Sequence, residues 1–245
     1  QKVGVAVADL FTGMYATVAI LAALRHAERT GEGQHVDMAL LDTQVAMLAN
    51  LGSNYLVSGK VPGRAGNAHQ NIVPYQVFEV QAPAGSAPGT RDHLILAVGN
   101  DGQFAKFCAV AGRPEIAQDP RYALNADRVR HRAELVPLLE AIMLTRTKAQ
   151  WLPALEAAKV PCGAINHLGE VFEDPQVRER GMVTDWVHPV KPDLRLVSSP
   201  IKMSRTPVRQ DLPPPMLGQH TQEVLSEVLG WSAEQLGPLR GKGVI

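Results

Sequence analysis

Cysteine is scarce: Cys108 and Cys162 are the only two in the chain. Their wide separation fits neither a zinc site nor a disulfide framework. Both stand among apolar neighbours and read as small buried hydrophobes, which a reducing compartment suits. An excess of one charge is also lacking. The 24 Lys and Arg balance the 24 Asp and Glu, so the basic surplus of a nucleic-acid binder is missing. No unbroken apolar run reaches the length of a membrane span, and no signal peptide is visible. There is no His-Glu-x-x-His, no nucleophile elbow and no Walker A sequence. The run Gly237 to Gly243 has the wrong spacing for a phosphate loop and no following Ser or Thr. These absences argue against nucleic acid, membrane and metal as partners.

What is there begins with Asp9. It lies between an apolar run, Val3 to Ala8, and a segment, Leu10 to Arg29, with small or apolar residues at helical spacing: Ala16, Ala19, Ile20, Ala23 and Leu24. The run reads as a buried strand, the segment as a helix. In open α/β sheets, ligands gather outside the carboxyl ends of strands. A carboxylate placed there has the position of a nucleophile, and the amides of a helix start favour its charge. Taken by itself, Asp9 is more simply a helix N-cap. Val36 to Ala39 reads as a second short strand and Leu40 to Leu51 as a second helix. This alternation predicts an α/β fold with a parallel, Rossmann-like sheet.

Residues 52–75 hold Gly52, Gly59, Gly63, Gly66, Pro62 and Pro74 and read as a linker. Strands are expected near Tyr75 to Val80 and at His93 to Val98, with helices at Asp101 to Ala111, Asp127 to Leu144 and Lys148 to Lys159. Arg128, Arg130, Arg132 and His131 read as a solvated helix face, with a phosphate site the sharper but weaker reading. Gly163 to Asn166 is expected as a strand, and Leu168 to Phe172 as the start of a short helix. Two segments, Thr184 to His188 and Leu194 to Ser198, precede a last helix from about Thr221 to Leu229. The resulting division is a large-domain segment over residues 1–57, a linker over 58–75, a smaller α+β domain over 76–180, and a return to the large domain over 181–245.

Four stretches in order carry a family likeness. They are Gly4-Val5-Ala6-Val7-Ala8-Asp9-Leu10-Phe11-Thr12-Gly13-Met14-Tyr15-Ala16; Pro161-Cys162-Gly163 with Asp174-Pro175-Gln176-Val177; Ser199-Pro200-Ile201-Lys202-Met203-Ser204; and Leu217-Gly218-Gln219-His220-Thr221 with Gly230-Trp231. The chain resembles the family III CoA-transferases, the formyl-CoA and carnitine CoA-transferase family. Members carry a substantial N-terminal half ahead of the aspartate, whereas Gln1 stands almost on top of Asp9. The likeness therefore implies a C-terminal portion of such a protein. It also implies a large domain discontinuous in sequence, an interlocked homodimer and a cytoplasmic location, with a mitochondrial one left open.

The same resemblance implies the chemistry. Asp9 would attack an acyl-CoA thioester to give a mixed anhydride and then an aspartyl-CoA thioester, from which a small carboxylic acid collects the CoA. Coenzyme A thioester is then a substrate, and no permanently bound cofactor is needed. An anhydride requires a dry site and amide donors for its oxyanion. The loop Gly63 to Asn71 is the candidate source, with Gly66, Asn67, His69, Gln70 and Asn71 as substrate-binding residues. Some members have a similar Gly-Asn-Ala-His stretch; others have a glycine run that this chain lacks. A plain interdomain linker is an equal reading of these residues, and a structural His69 outweighs an acid or base. Two alternatives to CoA transfer are a 2-methylacyl-CoA racemase exchanging an alpha proton, and an inactive piece or scaffold.

Overall fold

The computed structural model describes residues 4–64, 66–209 and 211–245 and divides them between two compact units, 1–165 and 166–245. The first unit opens with three helices: α1 (Val7–Thr30), α2 (Leu40–Ala46) and α3 (Ala49–Ser58). There follow β1 (Tyr75–Val80), β2 (Asp92–Ala97), α4 (Asp101–Val110), α5 (Pro114–Gln118), α6 (Asn125–Arg130), α7 (Arg132–Met143), α8 (Lys148–Ala157) and β3 (Cys162–Ala164). The second unit holds α9 (Leu168–Glu173), α10 (Pro175–Glu179), β4 (Val183–Trp186), β5 (Leu194–Val197), α11 (Thr221–Leu229) and α12 (Ala233–Gly241).

The core of the first unit follows from period-two burial on one sheet. Strands β1, β2 and β3 pair antiparallel in that order, with Phe78 opposite Leu94 and Leu96 opposite Cys162. Phe78, Val80, Leu94 and Leu96 are buried, as alternation on a half-covered sheet requires. Over them pack Phe104 and Phe107 of α4, Leu135 and Leu139 of α7, and Trp151 and Leu155 of α8, all in one cluster. Trp151 donates its indole N–H to the Met143 carbonyl at 2.8 Å, so the ring is buried without stranding its polar atom. Helix α4 starts on Asn100, whose carboxamide oxygen accepts from the Gln103 N–H at 2.9 Å.

Cys108 is fully buried in this cluster, and burial pushes its thiol up to about 12. Cys162 is only half-buried, with its thiol raised mainly by desolvation. A disulfide exchange reagent at pH 8 is expected to titrate Cys162 in the native protein and Cys108 only after unfolding. Native reaction of both thiols at comparable rates would contradict the burial of Cys108.

Several expectations are corrected. Val3 lies outside the described residues, but Gly4 to Ala6 are not a strand, and the helix already begins at Val7. Val36 to Ala39 is irregular rather than a strand. The parallel layer built on these two segments is therefore not formed among the described residues, where both sheets are antiparallel. A strand exists only with a neighbour to pair with, and without one an Ala-rich run is free to wind into the helix that follows it. The fold is mixed α/β nonetheless. Residues 52–58, expected in a linker, complete α3, which ends on Gly59 in the left-handed region at φ 68°. The long helix expected over residues 127–144 is broken at His131, which adopts φ −100°.

Helix α1 departs from expectation in a second way. It has 24 residues with none buried, and its mean hydropathy reaches 1.7, long and apolar enough by length and composition to cross a membrane. Its apolar residues are interrupted by Thr12, Gly13 and Thr17, so no unbroken run shows in the sequence. The hydroxyls of Thr12 and Thr17 are spent on the Ala8 and Gly13 carbonyls at 2.8 Å.

Candidate active site

Asp9 sits in the first turn of α1 and is exposed. It is not the N-cap; Ala6 holds that position without a side-chain cap. Among the described residues nothing hydrogen-bonds the Asp9 carboxylate. The Leu10 N–H already donates to the Ala6 carbonyl at 3.0 Å. The carboxylate thus stands at the positive end of a long helix, where a negative charge is favoured, and is not consumed by a structural bond.

The loop residues are ordered by a network that sequence reasoning missed. Gly66 adopts φ +62° with open space around its α-carbon, a conformation only glycine takes easily. The Asn67 carboxamide oxygen accepts from the Val77 N–H at 2.9 Å and ties the loop to β1. The His69 ring stacks on Tyr75 at 5.4 Å, and its Nδ1 accepts from the Asn71 N–H at 3.1 Å. Asn54 of α3 donates from Nδ2 to Gln70 Oε1 at 3.1 Å and to Asn71 Oδ1 at 3.2 Å. Gln70 then lines an open groove of about 590 Å³ together with Ser53, Asn54, Ser58 and Lys60.

The other side of the loop rests on α6 and α7. Arg132 donates from Nη2 to the His69 carbonyl at 2.7 Å and to the Gln70 carbonyl at 2.8 Å. Asn125 donates to the Asn71 carbonyl at 2.8 Å and accepts from the Val73 N–H at 3.1 Å. Arg128 donates to the Val73 carbonyl at 2.6 Å, to the Tyr122 and Ala123 carbonyls, and to Asp101 Oδ1 at 2.8 Å. The solvated-face reading of this arginine cluster is thereby corrected. Arg128 is 0% exposed, with its guanidinium 4.4 Å over the Phe104 ring, and Arg132 is half-buried. Arg130 alone fits the expectation, exposed and paired with Asp127. The reason is that a loop with many free carbonyls needs buried donors, and arginine supplies five in one plane.

The structure thus gathers Gly66, Asn67, His69, Gln70 and Asn71 into one ordered loop. Among the described residues no hydrogen bond or ion pair joins that loop to Asp9. No cluster of three or more His, Cys, Asp or Glu side chains suited to a metal occurs among the described residues either.

Comparison with known proteins adds to this geometry. Residues 1–221 match the model of CoA-transferase family III. Succinate–glutarate CoA-transferase of Agrobacterium fabrum is 49% identical over 93% of this chain and 55% of its own length. Succinyl-CoA:glutarate CoA-transferase of Mus musculus is 38% identical over 99% of this chain and 53% of its own. Among solved structures, a CaiB/BaiF family protein from Brucella suis superimposes with a TM-score of 0.73 at 42% identity, covering 93% of this chain and 57% of that one. The chain spans about half the length of the relatives it matches.

Proposed function

This chain belongs to CoA-transferase family III, and from that premise we propose that the whole protein moves CoA from an acyl-CoA donor to a carboxylic acid acceptor with Asp9 as the covalent nucleophile. The observation that carries the reading is the pair of relatives named as succinate or succinyl-CoA:glutarate transferases at 49% and 38% identity, aligned over nearly all of this chain. Their names support short dicarboxylates as donor acid and acceptor.

The steps balance as two exchanges. The Asp9 carboxylate attacks the thioester carbonyl, forming an aspartyl-acyl anhydride and releasing CoA thiolate. The thiolate attacks the aspartyl carbonyl, giving aspartyl-CoA and freeing the donor acid as a carboxylate. The acceptor carboxylate then attacks aspartyl-CoA, and the thiolate released attacks the new acyl carbonyl, which regenerates Asp9. Each step trades one activated acyl group for another, so the energy of the thioester is kept throughout. The unspent carboxylate of Asp9, in the first turn of α1, supports the assignment. The loop Gly66, Asn67, His69, Gln70 and Asn71 is read as the substrate-binding side.

We read the domain plan as that of the whole protein: a large domain discontinuous in sequence, drawing on residues 1–57 and 181–245, and a small domain over 76–180. Support comes from the main core cluster, whose buried members all fall between Val73 and Val160. A homodimer belongs to the same reading and rests on the family resemblance alone.

The test is chemical trapping. The full-length protein incubated with acyl-CoA and then hydroxylamine is expected to carry a hydroxamate on the peptide containing Asp9. Modification of a different carboxylate, with Asp9 unmarked, would overturn the assignment. Alpha-deuterium uptake in heavy water without acyl exchange would instead establish racemase chemistry.

A further inference from the structure

We propose that Arg132 is a positioning residue that aims the backbone N–H of Gln70 at the developing oxyanion of a bound thioester or anhydride; this rests on the reading of the loop as the substrate side. Arg132 Nη2 donates to the carbonyls of His69 and Gln70 together, at 2.7 and 2.8 Å. The His69 carbonyl and the Gln70 N–H belong to one peptide unit. That unit is planar and trans, so its N–H points opposite to its carbonyl. Holding the carbonyl on the guanidinium therefore turns the Gln70 N–H to the face away from α7.

On that face the donor is open. Among the described residues the Gln70 N–H has no acceptor, whereas the next amide, Asn71 N–H, is taken by His69 Nδ1. The residue is fixed at both ends, since Asn54 Nδ2 holds the Gln70 carboxamide oxygen at 3.1 Å. An amide donor held in place before the substrate arrives needs no reorganisation when charge develops. One guanidinium gripping consecutive carbonyls supplies that rigidity. The division of labour with Arg128 is clear from burial: Arg128 is sealed in the core, whereas Arg132 is half-buried at the loop's edge.

The experiment compares Arg132→Met and Arg132→Lys with the parent in the full-length enzyme. Arg132→Met is expected to lower kcat by about ten- to hundredfold, while the acyl-CoA KM stays within about threefold, the pattern of a contact made mainly in the transition state. Arg132→Lys should recover part of the loss, because an ammonium reaches one carbonyl as a point charge. The melting temperature of both variants should stay close to that of the parent. An unchanged kcat, a loss confined to KM, or a loss that merely follows unfolding overturns the proposal. Asp9→Asn, assayed alongside, separates the two readings. If Asp9→Asn is dead and Arg132→Met is fully active, only the positioning role fails. If Asp9→Asn is active, the nucleophile assignment fails, and the kcat of Arg132→Met still judges Arg132.

Discussion

Asp9→Asn in the full-length protein is expected to lower kcat for CoA transfer by on the order of ten thousandfold or more, the scale on which loss of a covalent nucleophile is felt. A carboxamide has the shape of a carboxylate but neither its charge nor an oxygen able to form an anhydride. In energy, a ten-thousandfold loss is about 5.5 kcal/mol of transition-state stabilisation. The same substitution should barely touch the fold. Asp9 is exposed in the first turn of α1, so the structural cost is the helix-end charge, about 0.3–1 kcal/mol. The decisive pattern is therefore a dead enzyme with a nearly unchanged melting temperature. Turnover at the parent rate would end the proposed mechanism. A dead enzyme that is also unfolded would show that Asp9 matters to the fold, contrary to its exposure.

Arg128→Met should do the reverse, striking stability first. Arg128 is fully buried and serves three carbonyls, of Val73, Tyr122 and Ala123, as well as Asp101. Methionine fills part of the space over Phe104 but donates nothing. The carbonyls, brought together inside the protein, then lack partners. Each buried acceptor left bare costs about 1–3 kcal/mol, whereas Asp101, with its side chain 46% exposed, regains water. Out of a total stability of about 5–15 kcal/mol, such a loss is a large fraction. Urea unfolding followed by circular dichroism should show a much lower midpoint with a similar slope. A midpoint equal to the parent's would mean that water or a shifted backbone satisfies these groups, and that Arg128 is not the pillar its burial indicates.

The two arginines also show where sequence reading reached its limit. The strands at Tyr75–Val80 and Asp92–Ala97 and the helices α4 and α8 were legible because their cause is local: alternation or helical spacing of apolar residues against one core. Arg128 and Arg132 carried no such mark. Charged residues clustered on a helix look the same whether they face water or a loop that is remote in sequence. A faint signal did exist, since a glycine- and asparagine-rich loop closed by Pro74 must find donors for its carbonyls somewhere. The run from Val3 to Ala8 failed for a related reason. Whether an apolar, Ala-containing run becomes strand or helix depends on a pairing partner that the run itself does not specify. Asp9 was singled out because the residues around it, rather than its spacing, resemble a known motif. Its placement in the first turn of a helix, instead of after a strand, changes the scaffold but leaves the carboxylate at the same helix end.

Helix α7 begins with the guanidinium that grips the loop and, within two turns, presents Leu135 and Leu139 to the hydrophobic core. One helix, with Pro137 inside it, is therefore both a wall of this core and the holder of the loop. Mutational drift beneath that helix, among residues no substrate ever meets, can tilt its first turn. On the proposed reading of the loop as the substrate side, such drift re-aims the loop from inside the protein, with the loop's own residues left as they were.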